Sequence, residues 1–535
     1  MNNILKSMLI VVISLLLSNT SMSQTGDKSD WKGGYPEGCT TITVGKDASF
    51  DGSVITSHTD DSHRTRSWID IVPAKKHNKG DEVTMYKRVQ DNSLAMPAYG
   101  HVEIGRIPQV KQTYGFINTA YPSLNNKQLG IGESTFGGRK ELQSDSGIID
   151  CQRLCQLMLE RQTTARGAIK MAGELLAQYG WNDYGEVLTI ADKNEVWHLE
   201  IVGPGTGKIG AVWVAQRVPD NHISVNANAS TIKAVNLKDK DHFMASDNIF
   251  DVAKQNGWWN PDKEEFRFCY AYAPHSRTSF ASRRREWRVF DLLAPSLKLN
   301  PNDENYPFSV KPDSLVTLEN IISVFKDYYE GTPFDMTKSL TVTDKDGKTV
   351  ISPLASPHMP YDANKLFKIN GGWGWLGERT IARWYTMYAT IIQLRNWLPD
   401  EIGGVEWLAM DNVATSIYVP IYGCVSDLPK EYKTPGRVNG YTLESAWWIF
   451  NRLGTLASQR WGEMRYEVDS VWIPMQLEMI NSQKVIDKEA LELYHQNKKD
   501  AVEFLNYYSN KQGEKVMKEA VKLGDFLWTK YDEKF

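Results

Sequence analysis

The segment Cys39-Thr40-Thr41-Ile42-Thr43-Val44-Gly45 decides the fold, because its β-branched residues predict a strand. A turn ending in Asp51-Gly52 follows, and Ser53-Val54-Ile55-Thr56-Ser57-His58 predicts a second strand. Together the two strands predict a β-hairpin whose first residue is Cys39. The polar, Gly-rich residues 24–38 that precede it are typical of a presequence rather than of a core element.

Outward from this hairpin, the chain alternates between strand and helix patterns. Residues 150–179 carry apolar side chains at helical spacing and predict two helices. Further strands are predicted at 186–190, 195–201, 211–215 and 223–225. From about Ser314 helices are expected to dominate, ending in an amphipathic helical tail around Val502, Leu505, Val516, Val521 and Leu527. This order predicts an α+β sheet sandwich rather than a doubly wound parallel sheet.

The composition is that of a large globular protein. The chain has 535 residues, of which 41% are hydrophobic and 24% charged, and this excludes the disordered and collagen-like classes. The 61 Lys+Arg and 65 Asp+Glu residues give a formal net charge of −4 without a basic stripe. The sequence therefore predicts no nucleic-acid partner. The length permits roughly three domains or one large continuous fold.

The first residues predict export. Lys6 precedes an apolar run from Met8 to Leu17, and small residues ending in Ser21-Met22-Ser23 follow. This pattern is typical of a cleaved signal peptide, here residues 1–23. The alternative is a membrane anchor, but the run is shorter than the ~20 residues that span a bilayer. We expect a periplasmic or extracellular protein, not associated with a membrane once mature, whose presequence 24–38 is removed on activation.

Five cysteines bear on redox chemistry and metal binding: Cys39, Cys151, Cys155, Cys269 and Cys424. An odd number in an oxidising compartment leaves at least one thiol unpaired. Cys151 and Cys155 lie one helical turn apart, which does not suit a disulfide and favours two small buried side chains. The sequence has neither the cysteine spacing of a zinc site nor a His-Glu-x-x-His motif, so we expect no metal and no other cofactor.

The tetrapeptide Gly38-Cys39-Thr40-Thr41 carries the strongest indication of chemistry. One cleavage, between Gly38 and Cys39, would give Cys39 both a thiol and a free α-amino group. An α-amine has a pKa of about 7.7–8.0 and can accept a proton at neutral pH, so the thiol would have a general base within its own residue. The alternative is a structural cysteine within a strand.

The residues that follow Cys39 resemble a known family. The run from Cys39 to Asp61 is similar to the start of the bacterial cysteine dipeptidases of the dipeptidase A type, which are related to secernins among the N-terminal-nucleophile hydrolases. Further blocks agree with that family in the same order, at residues 133–139, 190–197, 213–220 and 284–290. The resemblance runs from Cys39 to at least Ser296.

The resemblance implies a four-layer αββα sandwich with the nucleophile at the start of a central strand. Residues 39–300 would form the catalytic core of a dipeptidase domain at 39–535, and residues 301–535 the remaining strands and a helical elaboration. Cys39 would be the nucleophile. Asp61 would hold its amine or thiolate in place, the alternative being a turn residue. His58 stands where many relatives carry Arg, so the positive charge near the thiolate is expected to be weaker or to depend on His58 protonation.

The resemblance also implies donors for the oxyanion that forms when an amide is attacked. The side-chain amide of Asn228 is the first candidate and that of Asn226 the second, the alternative being turn residues at a strand end. Thr135, or the backbone near it, matches a second oxyanion position found in related acylases.

A catalytic arginine is implied by the segment 283–288. Arg285 and Arg288 share the Arg-x-x-Arg spacing found near the catalytic arginine of bile salt hydrolases. Either Arg284 or Arg285 could face the site, and the alternative for residues 283–285 is a solvated basic run.

The function predicted is therefore that of an exported cysteine dipeptidase, which hydrolyses small peptides through an acyl-enzyme. One alternative is an amidase of the same superfamily that acts on N-acyl amino acids or bile-salt-like amides, and another is a catalytically silent protein that binds peptides or glycans. The Gly/Trp-rich stretch 371–375 either lines a peptide groove or packs in the core. The sequence indicates neither the preferred dipeptide nor the oligomeric state.

Overall fold

The computed structural model describes residues 38–62, 64–91, 96, 98–338, 340–357 and 378–534. The predicted signal peptide, the presequence as far as residue 37 and the stretch 371–375 lie outside the described residues. The described strands are, in chain order, β1 (Gly38–Val44), β2 (Val54–Asp61), β3 (Asp70–Val72), β4 (Lys75–Lys76), β5 (Glu82–Asp91), β6 (Ala98–Pro108), β7 (Gln112–Thr113), β8 (Phe116–Asn118), β9 (Leu124–Asn125), β10 (Gly130–Gly137), β11 (Gly185–Ala191), β12 (Val196–Val202), β13 (Val212–Val218), β14 (Ile223–Asn226), β15 (Phe243–Ala245), β16 (Ser309–Val310), β17 (Thr341–Thr343), β18 (Thr349–Ile351), β19 (Thr386–Leu394), β20 (Gly404–Met410) and β21 (Val419–Tyr422).

The described helices lie mainly between the strands of the second half and at the carboxyl end. They are α1 (Cys151–Arg161), α2 (Ala165–Tyr179), α3 (Ile249–Gln255), α4 (Phe268–Tyr272), α5 (Phe280–Leu293), α6 (Leu318–Phe325), α7 (Asp400–Gly403), α8 (Lys430–Lys433), α9 (Ala446–Gln459), α10 (Trp461–Gln496) and α11 (Lys498–Tyr531). Short 3-10 helices occur at Lys140–Leu142, Pro274–Arg277, Pro295–Leu297 and Asp532–Lys534. Side chains cap the first two helices, since Asp150 accepts from Arg153 N at 2.8 Å and Thr164 accepts from Gly167 N at 3.2 Å.

The first sheet contains the predicted hairpin at its centre. Its described strands run in the order β16-β14-β1-β2-β19-β20-β21, and each neighbouring pair is antiparallel. Every residue of β1 and β2 is buried, so both faces of the hairpin are covered. Some of the polar side chains in these strands form hydrogen bonds within the hairpin, as where Ser57 Oγ donates to Ile42 O at 2.7 Å.

The second sheet follows the chain more simply. Its described strands run in the order β15-β13-β12-β11-β10-β9-β8-β3, and most neighbours are consecutive antiparallel strands. The two sheets face each other across hydrogen bonds between Thr56 Oγ1 and Thr189 Oγ1 (2.7 Å) and between Thr43 Oγ1 and His198 Nε2 (3.0 Å). At Gly132 the approach is so close that a Cβ atom would lie 2.5 Å from Ser57 O, so only glycine fits there.

The helices cover both sheets. Helix α2 packs on β11 and β12 of the second sheet, while α9, α10 and α11 pack on β20 and β21 of the first. Hydrogen bonds join α10 to the segment between β20 and β21, because Trp472 Nε1 donates to Thr415 O at 2.9 Å and Gln476 Nε2 donates to Tyr418 O at 3.0 Å. None of the described helices combines the length and apolar character that a membrane crossing requires.

The α+β class, with antiparallel sheets and a helical carboxyl end, is confirmed. So are the first hairpin, the two helices within 150–179 and the second hairpin, formed by β11 and β12. The expectation of mainly helices after Ser314 was incomplete, since β19, β20 and β21 are buried strands of the first sheet. Cys151 and Cys155 are buried free thiols, as predicted.

Candidate active site

A cavity of about 940 Å³ opens where β1 begins. Five of the residues predicted from the sequence line it, namely Cys39, Asp61, Thr135, Asn228 and Arg285. His58 and Asn226 are not among the described lining residues, although both lie on strands next to Cys39. The fold therefore gathers residues from four separate parts of the chain around one thiol.

The Cys39 side chain is almost fully buried, with 5% of the residue exposed. Its Sγ donates a hydrogen bond to Glu133 Oε2 at 3.2 Å. Burial raises the pKa of this thiol well above its ordinary value, and the nearby charges of Glu133, Asp60 and Asp61 raise it further. In the uncleaved chain, Cys39 is consequently held as a neutral thiol.

His58 does not supply the positive charge that an arginine would bring to this position. Its Nδ1 lies 2.7 Å from Glu133 O, and its ring centroid lies 5.6 Å from those of Tyr121 and Tyr388. Burial lowers the pKa of His58, although the charge of Glu133 opposes this effect. His58 is therefore neutral near pH 7, and of the two expectations the structure favours a weaker positive charge from this residue.

A buried arginine that the sequence analysis did not single out lies next to Asp61. Asp61 is the last residue of β2, directly opposite Gly38 of β1, and it forms an ion pair with Arg379. Its other oxygen accepts from Thr386 Oγ1 at 2.6 Å. The alternative reading of Asp61 as a loop turn residue is wrong, because it belongs to a buried strand. Arg379 lines the cavity and brings a positive charge to the Gly38–Cys39 bond.

Asn228 holds the backbone of Cys39. Its Oδ1 accepts from Cys39 N at 3.0 Å and from Arg285 Nη2 at 2.8 Å, and its Nδ2 donates to Thr135 O at 2.7 Å. The amide oxygen therefore faces Cys39, and the donor role of Nδ2 towards an oxyanion stays a prediction. Asn226 closes the turn after β14 through Nδ2 to Ala229 O at 2.5 Å, as the turn-residue alternative expected.

Of the arginines on α5, Arg285 is the one that faces the nucleophile. It donates to Cys39 O at 2.7 Å and to Thr40 Oγ1 at 3.0 Å. Burial lowers the pKa of Arg285 to about 9, and the nearby charge of Arg379 is the second cause of this shift. Arg284 instead pairs with Glu378, and Arg288 pairs with Asp327 at 2.8 Å. Residues 283–285 are all buried, so the alternative of a solvated basic run is wrong.

Thr135 joins two buried glutamates beside the nucleophile. Its Oγ1 lies 2.9 Å from Glu133 Oε1 and 2.8 Å from Glu186 Oε1. Burial raises the pKa of Glu186 well above its ordinary value, and the charge of Glu133 raises it further. Glu186 lines the cavity, and its Oε2 has no hydrogen-bond partner among the described residues.

The comparisons with known proteins agree with this site. The model of peptidase family C69 matches residues 38–473. The chain belongs to peptidase family C69. A protein named probable dipeptidase from Latilactobacillus sakei is 25% identical over 477 residues, which cover 87% of this chain and 90% of that protein. Dipeptidase A of Lactobacillus helveticus is 24% identical over 446 residues, which cover 80% and 83%. Probable dipeptidase B of Lactococcus lactis is 26% identical over 407 residues, which cover 74% and 76%.

Family membership confirms that this C69 enzyme is a cysteine-type peptidase related to the bacterial dipeptidases, as its motifs indicated. Three further residues of the site, Glu133, Glu186 and Arg379, were not assigned a role from the sequence. Glu133 stands within the block 133–139 that carries the resemblance, so the signal for it was present. Arg379 meets Asp61 only through the fold, and its local sequence Gly377-Glu378-Arg379-Thr380 contains no motif.

Among the residues that the structure describes, two groups of donor atoms are close enough to hold a metal ion. The atoms of Cys39, His58 and Glu133 lie within 4.8 Å of one another, as do those of Glu133, Cys151 and Glu186. Hydrogen bonds already engage Cys39 Sγ with Glu133 Oε2, and His58 Nδ1 with Glu133 O. These contacts account for the first group without an ion, and the prediction of no metal stays a prediction.

Proposed function

We propose that this C69 peptidase is an exported dipeptidase whose nucleophile is the amino-terminal Cys39 of a cleaved precursor. The observation that carries the proposal is the position of Cys39, which is the second residue of a central buried strand and lines the cavity. The names of the three relatives above, one dipeptidase and two probable dipeptidases, support dipeptides as the substrate class. The two facing antiparallel sheets, covered by helices, support the N-terminal-nucleophile αββα sandwich that the motifs imply.

The surroundings of Gly38 support cleavage of the Gly38–Cys39 bond. A Cβ atom at Gly38 would lie 2.4 Å from Asn228 Oδ1 and 3.1 Å from Arg379 Nη2, so only glycine fits before Cys39. This bond thus lies between an asparagine and a buried guanidinium. After cleavage, the new α-amine can keep its hydrogen bond to Asn228 Oδ1, which would hold the nitrogen lone pair close to the thiol.

The reaction then follows from the groups present. The α-amine accepts the thiol proton, and the thiolate attacks the carbonyl carbon of the substrate peptide bond. The carbon–nitrogen bond breaks, the leaving amine takes the proton from the α-amine, and a thioester remains on Cys39. Water hydrolyses the thioester and regenerates the thiol. Asn228 and Thr135 remain the candidates for the oxyanion donors, and Arg285 and Arg379 supply positive charge near the reacting carbonyl.

Export is proposed from the amino-terminal pattern alone. Lys6, the apolar run and the exit ending at Ser23 are typical of a signal peptide. Expression of the full chain in a bacterial host, followed by separation of periplasm, medium and cytoplasm, tests this proposal. Protein that keeps residues 1–23 and stays in the cytoplasm would contradict it.

Intact-mass measurement and amino-terminal sequencing of the purified enzyme test the cleavage. We expect an active enzyme that begins at Cys39. An active enzyme that still begins near Gln24 would refute the mechanism. Cys39→Ala should abolish both processing and dipeptide hydrolysis, whereas Cys39→Ser is expected to permit cleavage and lose turnover. Full hydrolysis by Cys39→Ala would reject Cys39 as the nucleophile.

A substrate panel separates this proposal from the amidase alternative. Dipeptides with a free amino terminus are compared with N-acyl amino acids and bile-salt-like amides, using the same enzyme preparation. Faster hydrolysis of the dipeptides supports the proposal. Faster hydrolysis of the acyl amides would favour the amidase, and no labelling of Cys39 by a thiol-reactive probe would favour a binding protein.

A further inference from the structure

The cavity wall beside Cys39 contains an acceptor that the protein leaves unused. Glu186 is 1% exposed, it lines the cavity, and its Oε2 has no hydrogen-bond partner among the described residues. A buried carboxyl oxygen without a partner costs free energy, so such an atom on a residue that lines a cavity indicates a ligand that donates to it.

The neighbours of Glu186 indicate the charge of that ligand. Through Thr135, Glu186 is joined to the fully buried Glu133, whose Oε2 accepts from the Cys39 thiol. Arg88, the nearby cation, is engaged elsewhere, since it donates to Asp183 Oδ2 and to Tyr121 OH, both at 2.8 Å. Among the described residues, the ion pair recorded for these two carboxyls joins Glu133 to His58 at 4.0 Å, and His58 is neutral, so a cationic ligand would give the pair a positive partner.

We propose that the Glu133–Glu186 pair binds the α-ammonium group of the peptide substrate, with Glu186 Oε2 as the direct acceptor. This inference rests on the proposed dipeptidase function and deepens it. Glu186 becomes the residue that selects substrates with a free amino terminus, and Glu133 supports it from behind the cavity wall.

The dimensions of a dipeptide fit this arrangement. The ammonium nitrogen of a dipeptide lies two bonds, or roughly 2.5 Å, from the carbonyl carbon that is attacked. In an attack geometry that carbon lies about 3–3.5 Å from Cys39 Sγ. The ammonium nitrogen is thus held within a few ångströms of the thiol, next to a group that can accept its hydrogen bonds. Among the described residues that line the cavity, Glu186 carries such an acceptor without a partner.

Binding of an ammonium group would also affect the nucleophile. The charge of Glu133 is one cause of the raised pKa of Cys39, and an adjacent cation offsets that charge. The same cation favours the ionised form of Glu186, so ionisation of this carboxyl and binding of the substrate support each other. An N-acylated peptide carries no cation, and it would leave the thiol unactivated as well as bind weakly.

The test compares alanine and N-acetylalanine as competitive inhibitors of dipeptide hydrolysis, because they differ in the ammonium group. For Glu186→Gln we expect the inhibition constant of alanine to rise by about 10- to 100-fold, the usual weight of a hydrogen bond to a charged group. The inhibition constant of N-acetylalanine should not change. An equal effect on both inhibitors, or none on alanine, would overturn the ammonium site.

Glu406→Gln is the matched control. Glu406 is also a buried strand glutamate with one oxygen unpartnered among the described residues, but it does not line the described cavity. We expect Glu406→Gln to leave both inhibition constants unchanged. A selective rise for alanine in this control would mean that the effect does not depend on the position of Glu186, and it would overturn the proposal.

A measurement on the wild-type enzyme does not depend on the folding of any variant. Propylamine, a minimal ammonium ion at neutral pH, should inhibit competitively, and 1-propanol at the same concentration should not. Equal inhibition by both compounds would overturn the site. A wild-type enzyme that hydrolyses no dipeptide would instead refute the proposed function, so the two failures are distinguishable.

Discussion

Two glutamates, one at the cavity and one sealed in the core, show how position changes the use of the same side chain. Glu186 and Glu406 are both buried, and each places one oxygen against a hydroxyl, at 2.8 Å from Thr135 Oγ1 and at 2.5 Å from Ser123 Oγ respectively. Burial raises the pKa of both, that of Glu406 to about 8. Only Glu186 borders the cavity and has a second carboxylate, Glu133, nearby. An isolated buried carboxyl can stay protonated, whereas a pair of carboxyls of which one lines a cavity attracts a cation.

The arginine pairs at the two ends of β19 repeat this contrast. At the cavity end, Asp61 forms an ion pair with Arg379 and accepts a hydrogen bond from Thr386, the first residue of β19. At the far end, Arg395 follows the strand and pairs with Asp487 of α10, away from the described cavity. Both pairs fix the sheet, but only the first places its guanidinium next to the Gly38–Cys39 bond.

The largest effect is expected from Arg379→Met. It leaves the buried Asp61 carboxylate without its partner, which typically costs about 3–5 kcal/mol of unfolding free energy. Loss of the positive charge near the reacting carbonyl should also lower kcat/KM for dipeptides by about 100-fold or more. Urea unfolding and steady-state kinetics measure the two effects.

Arg395→Met is the matched variant at the other end of the strand. We expect it to lower stability, while the fraction that remains folded keeps the wild-type kcat/KM. If Arg395→Met reduces the activity per folded molecule as much as Arg379→Met does, the contrast between the two ends of β19 is wrong.

The second largest effect is expected from Gly38→Ala. The new Cβ atom would lie 2.4 Å from Asn228 Oδ1, so the scissile bond must move from its place between Asn228 and Arg379. Such a displacement at a reacting bond typically costs about 100-fold in rate. Intact-mass measurement over time follows the processing. Gly100→Ala is the control, since its Cβ atom would meet other atoms only at 3.8 Å. Processing of Gly38→Ala at the wild-type rate would contradict the proposed role of this contact.

The local elements of the fold could be predicted because their partners are neighbours in the chain. The hairpin of β1 and β2, the hairpin of β11 and β12 and the helices α1 and α2 each follow from patterns within some thirty residues. The pairing of β2 with β19 joins Asp61 to Thr386, and no local pattern encodes such a partner. The strand at 386–394 was missed, although it contains β-branched residues, and its place in the first sheet depends on the fold.

The site was predictable to the same extent. Cys39, Asp61, Asn228 and Arg285 stand in motifs, and the fold brings all four to one cavity. The roles of Glu133, Glu186 and Arg379 depend on contacts across the two sheets and on burial, which motifs do not encode. His58 shows the converse, because a departure in the motif was visible, while the positive charge that Arg379 brings near the Gly38–Cys39 bond was not.

A smaller effect, on the pH dependence of stability, is expected from a substitution of Glu406, the buried glutamate away from the described cavity. The pKa of Glu406 is raised in the folded protein to about 8 from an ordinary value of 4.5, so folding binds a proton between these values. The stability from this group is complete below about pH 4.5 and is lost as the pH rises through about 8. The free energy of unfolding of Glu406→Gln, relative to that of the wild type, should therefore rise by on the order of 1–3 kcal/mol from about pH 5 to about pH 8. Urea unfolding at both pH values measures the difference. A difference that does not depend on pH would show that Glu406 is ionised in the fold.

The smallest effect separates reactivity of the thiol from catalysis. Burial is the largest cause of the raised pKa of the Cys39 thiol, and the charge of Glu133 is the second. Glu133→Gln removes this charge but keeps an acceptor near Cys39 Sγ. The thiolate fraction near pH 8 should rise by about tenfold for each pKa unit lost, and the pH profile of alkylation by iodoacetamide should shift to lower pH. Mass spectrometry of the Cys39 peptide measures this rate, and Glu406→Gln should leave it unchanged. An unshifted profile would mean that no Glu133 carboxylate acts on the thiol.

Dipeptide hydrolysis by Glu133→Gln should nevertheless fall, because the substrate ammonium loses the charge that attracts it. A more reactive thiol in a slower enzyme would distinguish a carboxyl pair that binds substrate from one that only fills the core, as Glu406 does.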